Sequence, residues 1–214
     1  MPSATLHYIF DPFCGWCYAV APLIEAAASL PELTVTLHGG GMLAGANRRQ
    51  IDAGWRDYVM PHDERIAQMS GQPFGSAYFD GLLRDIGAEM DSAQPIAAIL
   101  AATALNGQGL AMLHQLQSAH YVAGQRISET PVLIQLATAL GHDANAFTQA
   151  LHDQQGAATE AHIAASRSLL GQLGGQGFPT VALAHADGRW QVLPVSQYLG
   201  QADAWRNWLS AQLA

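Results

Sequence analysis

The chain holds two cysteines, Cys14 and Cys17, with Gly15 and Trp16 between them. A disulfide closing so short a loop adds little stability through chain entropy. One such bridge could not staple 214 residues. The pairing therefore points to disulfide exchange or metal binding rather than to a structural framework. In exchange, one thiolate attacks a substrate disulfide and a second thiol resolves the mixed disulfide. Positions three apart meet across one helical turn. A helix start also favours negative charge through its unpaired N–H groups and dipole, and thiols so placed commonly titrate at ~3.5–7.5. Cys14 is thus expected to be the accessible nucleophile and Cys17 the buried resolving thiol. For a metal, only His114 and His120 show ligand-like spacing, and they lie far from the cysteines. Six positions along a helix also turn by roughly 240°, so the two rings diverge. The expectation is no metal, with the other histidines as surface or capping groups.

For Cys14 to open a helix, a strand must end just before it. Residues 6–10 form a short apolar, aromatic run that reads as a buried strand, and Asp11-Pro12 stops it. Residues 14–29 read as one helix, with Val20, Leu23, Ile24 and Ala27 at helical spacing. Residues 33–37 read as a second strand, ended by three glycines. This βαβ unit should have parallel strands and a right-handed crossover. From 47 to 173 the patterns are helical and no segment reads convincingly as a strand. Residues 72–78, with Pro73 and Gly75, read as loop. Ser128, with Pro131 close behind, reads as a helix start. After Gly174-Gly175, residues 180–184 and 190–193 read as strands around an Asp187-Gly188 turn. Trp205, Trp208, Leu209 and Leu213 then share a helix face. The expected fold is α/β, with an all-helical insertion between the second and third strands. Residues 1–46 and 174–214 would form one domain and 47–173 the insertion.

Half of the residues are apolar, 12% are charged, and the net charge is −8. The composition is that of a packed globular chain. All nine basic residues are arginines in no basic run, which argues against nucleic acid and anionic membranes as partners. No run approaches the 18 or so apolar residues of a membrane span. The start lacks the basic region of a secretory signal, and the expected location is the cytoplasm.

Asp11-Pro12-Phe13-Cys14-Gly15-Trp16-Cys17-Tyr18 after a first strand resembles the DsbA family, and most closely its cytoplasmic FrnE-like branch. A second signature, Gly177-Phe178-Pro179-Thr180, follows Leu169-Leu170-Gly171 and more glycines. The resemblance spans nearly the whole chain. It implies a thioredoxin-like fold and a thiol–disulfide oxidoreductase, acting as reductase or isomerase on protein or small-molecule thiols and disulfides. It also implies a cis peptide bond before Pro179, facing the redox pair, and β-type pairing of substrate with the Phe178 backbone. Independently, a proline is allowed at the first position of a strand. It leaves room beside the sulfurs for an incoming chain.

Two features depart from the strong oxidant of the family. Trp16 stands where that protein has a histidine, so the thiolate loses a favourable partner. The potential is then expected between about −270 and −120 mV, the thioredoxin and DsbA values. Trp16 could contact substrate or simply pack. Asp11, three residues before Cys14, could relay a proton for Cys17 or serve only as a turn residue. No cofactor is expected beyond the Cys14–Cys17 disulfide, with glutathione left open as a co-substrate. Two other readings stay open. One is a glutathione-dependent transferase or isomerase of the kappa and 2-hydroxychromene-2-carboxylate isomerase type. The other is a peptide-binding chaperone without turnover. The oligomeric state, the physiological substrate and the direction of electron flow are not legible.

Overall fold

The computed structural model describes residues 4–213; residues 1–3 and 214, the outer ends of the two segments expected to form one domain, lie outside it. Strand β1 (Ala4–Phe10) runs through the centre of a four-stranded sheet. It is followed by helices α1 (Gly15–Ala19) and α2 (Ala21–Ala28), and then by β2 (Leu33–Gly39). β2 lies parallel to β1, with Leu6 opposite Val35. The tail returns as β5 (Thr180–His185), antiparallel to β1, and β6 (Trp190–Val192), antiparallel to β5. The sheet order is β2-β1-β5-β6. Helix α9 (Ala202–Leu213) closes the chain and packs on α2.

Between β2 and β5 the elements are mostly helical: α3 (Ala53–Ser70), α4 (Ala93–Asn106), α5 (Gly109–Tyr121), α6 (Thr130–Ala139), α7 (Ala144–Gln154) and α8 (Ala157–Gln172). The expected succession of βαβ, helical insertion and ββα is therefore present. The middle block is not free of strands, however. Two residues of β3 (Arg49–Gln50) pair antiparallel with two of β4 (Glu89–Met90). That pairing stays outside the main sheet, and two residues are too few to show alternation in a sequence.

Three further local expectations need correction. The helix read over 14–29 is two helices that break at Val20. Pro22 has no N–H to continue the ladder. The Tyr18 carbonyl, left without its helical donor, accepts instead from Gln72 Nε2 at 2.9 Å. The Cys17 carbonyl likewise accepts from the Tyr8 hydroxyl at 3.0 Å. The loop read over 72–78 gives way at Ala77 to a π-helical turn, Ala77–Gly81. Ser128 does not cap α6, whose N-cap is Glu129. The Ser128 hydroxyl accepts instead from the Asp91 N–H at 2.9 Å.

Helix α3 is the part of the insertion that meets the start of the βαβ unit. Its N-cap Asp52 accepts from the Trp55 N–H at 2.7 Å, and Gly71, at φ 73°, ends it in the left-handed region. α3 packs against α1 and so carries its side chains to the helix that bears the cysteines.

Candidate active site

Cys14 is the N-cap of α1, with extended backbone angles, and its carbonyl accepts from the Cys17 and Tyr18 N–H groups at 2.9 and 3.1 Å. The Cys14 N–H is tied to the Asp11 carbonyl at 3.1 Å. The strand end, the turn and the first helical turn are thus locked together, and Cys14 is fixed at the sheet's end. No disulfide joins the two cysteines in this structure. Cys14 is more enclosed than the expected accessible thiol, at 7% exposed, and Cys17 is 0% exposed. Cys14 nevertheless borders a cavity. The Cys14 thiol donates to the Phe178 carbonyl at 3.5 Å.

The Phe178–Pro179 peptide bond is cis. Trp16, Phe178 and Pro179 share the lining of a cavity of about 220 Å³ on the β5–β6 side of Cys14. Phe178 is seated against bare backbone: a Cβ on Gly40 would fall 2.1 Å from its Cε1. Gly40 cannot step aside. Its N–H donates to the Phe10 carbonyl at 2.7 Å, and its carbonyl accepts from Arg167 Nε at 2.8 Å. Gly40→Ala should therefore drive the Phe178 ring out of place and cost about 1–3 kcal/mol, the usual penalty of overpacking. A denaturant titration should show a lower midpoint at unchanged slope. An unshifted midpoint would mean the ring moves away freely.

Asp11 is completely buried. Its Oδ1 accepts from the Phe13 N–H at 2.9 Å and the Ser92 hydroxyl at 3.0 Å, and its Oδ2 from the Met42 N–H at 2.5 Å. Burial pushes its carboxyl up to about 6. The three hydrogen bonds and the Arg167 guanidinium pull the other way without cancelling that rise. Burial, together with the adjacent Cys14 sulfur, also raises the Cys17 thiol well above its ordinary value, and the Asp11 charge adds to that rise. The structure therefore brings together Cys14, Cys17, Asp11, Phe178 and Pro179, with Trp16 at the rim.

Several neighbours had no signal in the sequence. Tyr8, on β1, is buried with its phenol near both sulfurs, and burial raises it well above the usual tyrosine range. Asp63, on α3, lies against Gly15: a Cβ there would fall 2.7 Å from Asp63 Oδ1. Asp63 Oδ2 accepts from the Tyr78 hydroxyl at 2.7 Å, and burial pushes the Asp63 carboxyl up to about 6. His120 sits edge-on to Phe13, with centroids 5.0 Å apart. Burial lowers it to about 3, so its ring is neutral. An aspartate in a helix of mixed polarity looks like any solvated charge, and only the packing of α3 on α1 distinguishes it. Among the described residues, no group of three or more His, Cys, Asp or Glu side chains is placed to hold a metal ion. None of the described helices is long and apolar enough to cross a membrane.

A family model, the DSBA-like thioredoxin domain, matches residues 5–201. The chain belongs to that family. As a member of the DSBA-like thioredoxin family, it has a thioredoxin-like fold and is a thiol–disulfide oxidoreductase. Among solved structures, it is similar to cytosolic disulfide reductase DsbM from Pseudomonas aeruginosa. The identity is 54%, the match covers 98% of each chain, and the TM-score is 0.92. A second structure of that protein, with GSH, is 52% identical over 98% of each chain, with a TM-score of 0.90. A 2-hydroxychromene-2-carboxylate isomerase structure covers 97% of each chain at 14% identity and a TM-score of 0.59, which shows a shared fold alone. No match was found among the curated proteins.

Proposed function

We propose that the protein is a cytoplasmic disulfide reductase that uses Cys14 as nucleophile, Cys17 as resolving thiol and glutathione as reductant. The observation that carries this reading is the placement of the Cys14 thiol. It sits at the start of α1, borders a cavity and lies 3.5 Å from the Phe178 carbonyl. Cys17 is sealed beneath it. The similarity to a disulfide reductase described as cytosolic, and solved with GSH, supports the direction, the location and the reductant.

The cycle balances in four exchanges. The Cys14 thiolate attacks one sulfur of the substrate, a Cys14–substrate disulfide forms, and the other half leaves as thiolate. Cys17 gives its proton to Asp11 and attacks the Cys14 sulfur. The Cys14–Cys17 disulfide forms and the second substrate thiolate departs. One glutathione thiolate attacks the Cys14 sulfur and releases Cys17, which takes its proton back from Asp11; a second attacks the bound glutathione sulfur, frees Cys14 as thiolate and leaves as glutathione disulfide. In this reading Trp16 and Phe178 flank the substrate, and Pro179, lacking an N–H, leaves space beside the sulfurs.

The test is turnover of small disulfides, neutral and charged, with glutathione, glutathione reductase and NADPH. Oxidation of NADPH that depends on the protein supports the reading. Its absence, with the cysteines shown to be reduced, overturns it. The poise is a separate measurement. With Trp16 between the cysteines, equilibration in glutathione buffers should give a potential between about −270 and −120 mV. A potential well above roughly −220 mV keeps the pair mostly dithiol across a cytosolic poise of roughly −220 to −320 mV. A value at the oxidising end would mean that the intervening residues do not set the potential.

A further inference from the structure

The cavity on the α3 side of Cys14 has a composition that the exchange chemistry does not require. Its volume is about 190 Å³, below the ~300–1,000 Å³ of pockets for drug-sized ligands. It therefore suits one small group rather than a peptide. Six aromatic rings line it: Phe13, Trp16, Trp55, Tyr58, Tyr78 and Tyr121. Its lining holds one carboxylate, Asp63, and no arginine. Arg49 stacks on Trp55 at 4.3 Å but is not part of that lining.

Asp63 is 4% exposed. One of its oxygens is taken by the Tyr78 hydroxyl, and the other lies over Gly15, next to the nucleophile. His120 lines the same space, is 4% exposed, and its Nδ1 has no partner. A neutral imidazole with a free ring nitrogen can accept a hydrogen bond. Aromatic faces attract cations, a buried carboxylate needs a positive partner, and no arginine stands in the lining to supply one. The chain's net charge of −8 favours the same kind of ligand.

We infer that this cavity receives an alkylammonium group carried by a small disulfide substrate, with Asp63 as its counter-ion and the aromatic rings as its walls. The inference rests on the reading of Cys14 as the nucleophile, and it names the substrate class that this nucleophile meets. The ammonium fixes the molecule by its tail and brings the sulfur–sulfur bond to Cys14. His62, at the exposed rim, is the one other titratable group of the lining that could carry positive charge.

The experiment compares three symmetric disulfides of similar length at pH 7.5 in the glutathione-coupled assay. These are cystamine with two ammonium groups, bis(2-hydroxyethyl) disulfide with none, and 3,3′-dithiodipropionate with two carboxylates. Cystamine should show a kcat/KM at least about tenfold above the neutral compound, and the dianion the lowest value. The advantage should shrink with added salt. In Asp63→Asn the ratio of cystamine to neutral disulfide should fall about tenfold. In Tyr78→Phe the ratio should fall less, because the carboxylate keeps its charge. Each kcat/KM is divided by that disulfide's rate constant with glutathione alone, which removes the effect of its leaving-thiol pKa; if Asp63→Asn does not fold, this corrected series on the wild type still decides. Equal kcat/KM for cystamine and the neutral disulfide overturns the ammonium site while leaving the reductase reading intact. So does an Asp63→Asn ratio equal to the wild type's. No reduction of any of the three disulfides overturns the reductase reading itself.

Discussion

Cys14→Ser should reduce disulfides no faster than the buffer alone. A serine hydroxyl at neutral pH is not ionised and makes no disulfide, so the first exchange has no nucleophile. The expected loss is on the order of 10³-fold or more, as for removal of other covalent nucleophiles. Cys17→Ser should behave differently. Cys14 still attacks, but nothing within the protein resolves the product. A Cys14–substrate disulfide should accumulate to one equivalent and be visible by intact mass. In Cys17→Ser, steady turnover should survive only as fast as external glutathione attacks the mixed disulfide. Because Cys17 is completely buried, alkylation of the reduced wild type with limiting reagent should label Cys14 first. Labelling of Cys17 first would reverse the two roles. The pair of variants also separates an enzyme from a peptide-holding chaperone. A chaperone's suppression of aggregation would survive Cys14→Ser, whereas an exchange enzyme's activity would not.

How much of the fold and site was legible in the sequence depends on the distance over which each feature is determined. The strand before Cys14, the cysteine spacing and Pro179 at the head of β5 are local, and they carried the fold class and the central chemistry. The break of the first helix was half visible. Pro22 signals it, but continuous apolar spacing on both sides of Val20 made one helix the simpler reading. What rescues the Tyr18 carbonyl is Gln72, 54 residues away, and no local pattern shows that. The same limit applies to the surroundings of Asp11. The residue itself was found from its place before Cys14. Its three donors come from Phe13, Met42 and Ser92, two of them brought in only by the tertiary fold. Asp63 went unrecognised, and His120, weighed only as a metal ligand and set aside, was not placed beside the cysteines, because the meeting of α3, α1 and α5 around one cavity is a packing result. α3 also has alternating polar and apolar stretches with Pro61 inside it, which blurs its helical period.

Asp11→Asn should slow the second exchange selectively and change how stability depends on pH. In the folded protein the Asp11 carboxyl is raised from 3.8 to about 6, chiefly by burial. A group raised on folding holds its proton more tightly in the native state. Its contribution is most favourable below the unfolded value and is lost as pH rises towards the folded one. The span of 3.8 to about 6 corresponds to about 3 kcal/mol of cost for the buried charge at neutral pH. Asparagine keeps the shape and removes the charge. It also turns one acceptor into a donor, so either the Met42 N–H or the Ser92–Phe13 pair loses its partner, at about 1–3 kcal/mol. That second cost does not depend on pH. The difference in unfolding free energy between Asp11→Asn and the wild type should therefore move in the variant's favour from pH 4 to pH 7 by roughly 2.4 kcal/mol. Asp63, raised to about 6 in both proteins, cancels in that comparison. In the proposed cycle, ionised Asp11 would be the base for a Cys17 thiol that burial keeps protonated. Rapid mixing with a reactive disulfide should show resolution of the Cys14 mixed disulfide slowing by about 100-fold in the variant, the lower end of general-base effects. The wild-type rate of that step should fall about tenfold per unit below pH 6, where Asp11 takes up its proton. In Asp11→Asn that inflection should vanish, and formation of the mixed disulfide should change far less than its resolution. A variant that retains both the rate and the inflection would reduce Asp11 to a turn residue.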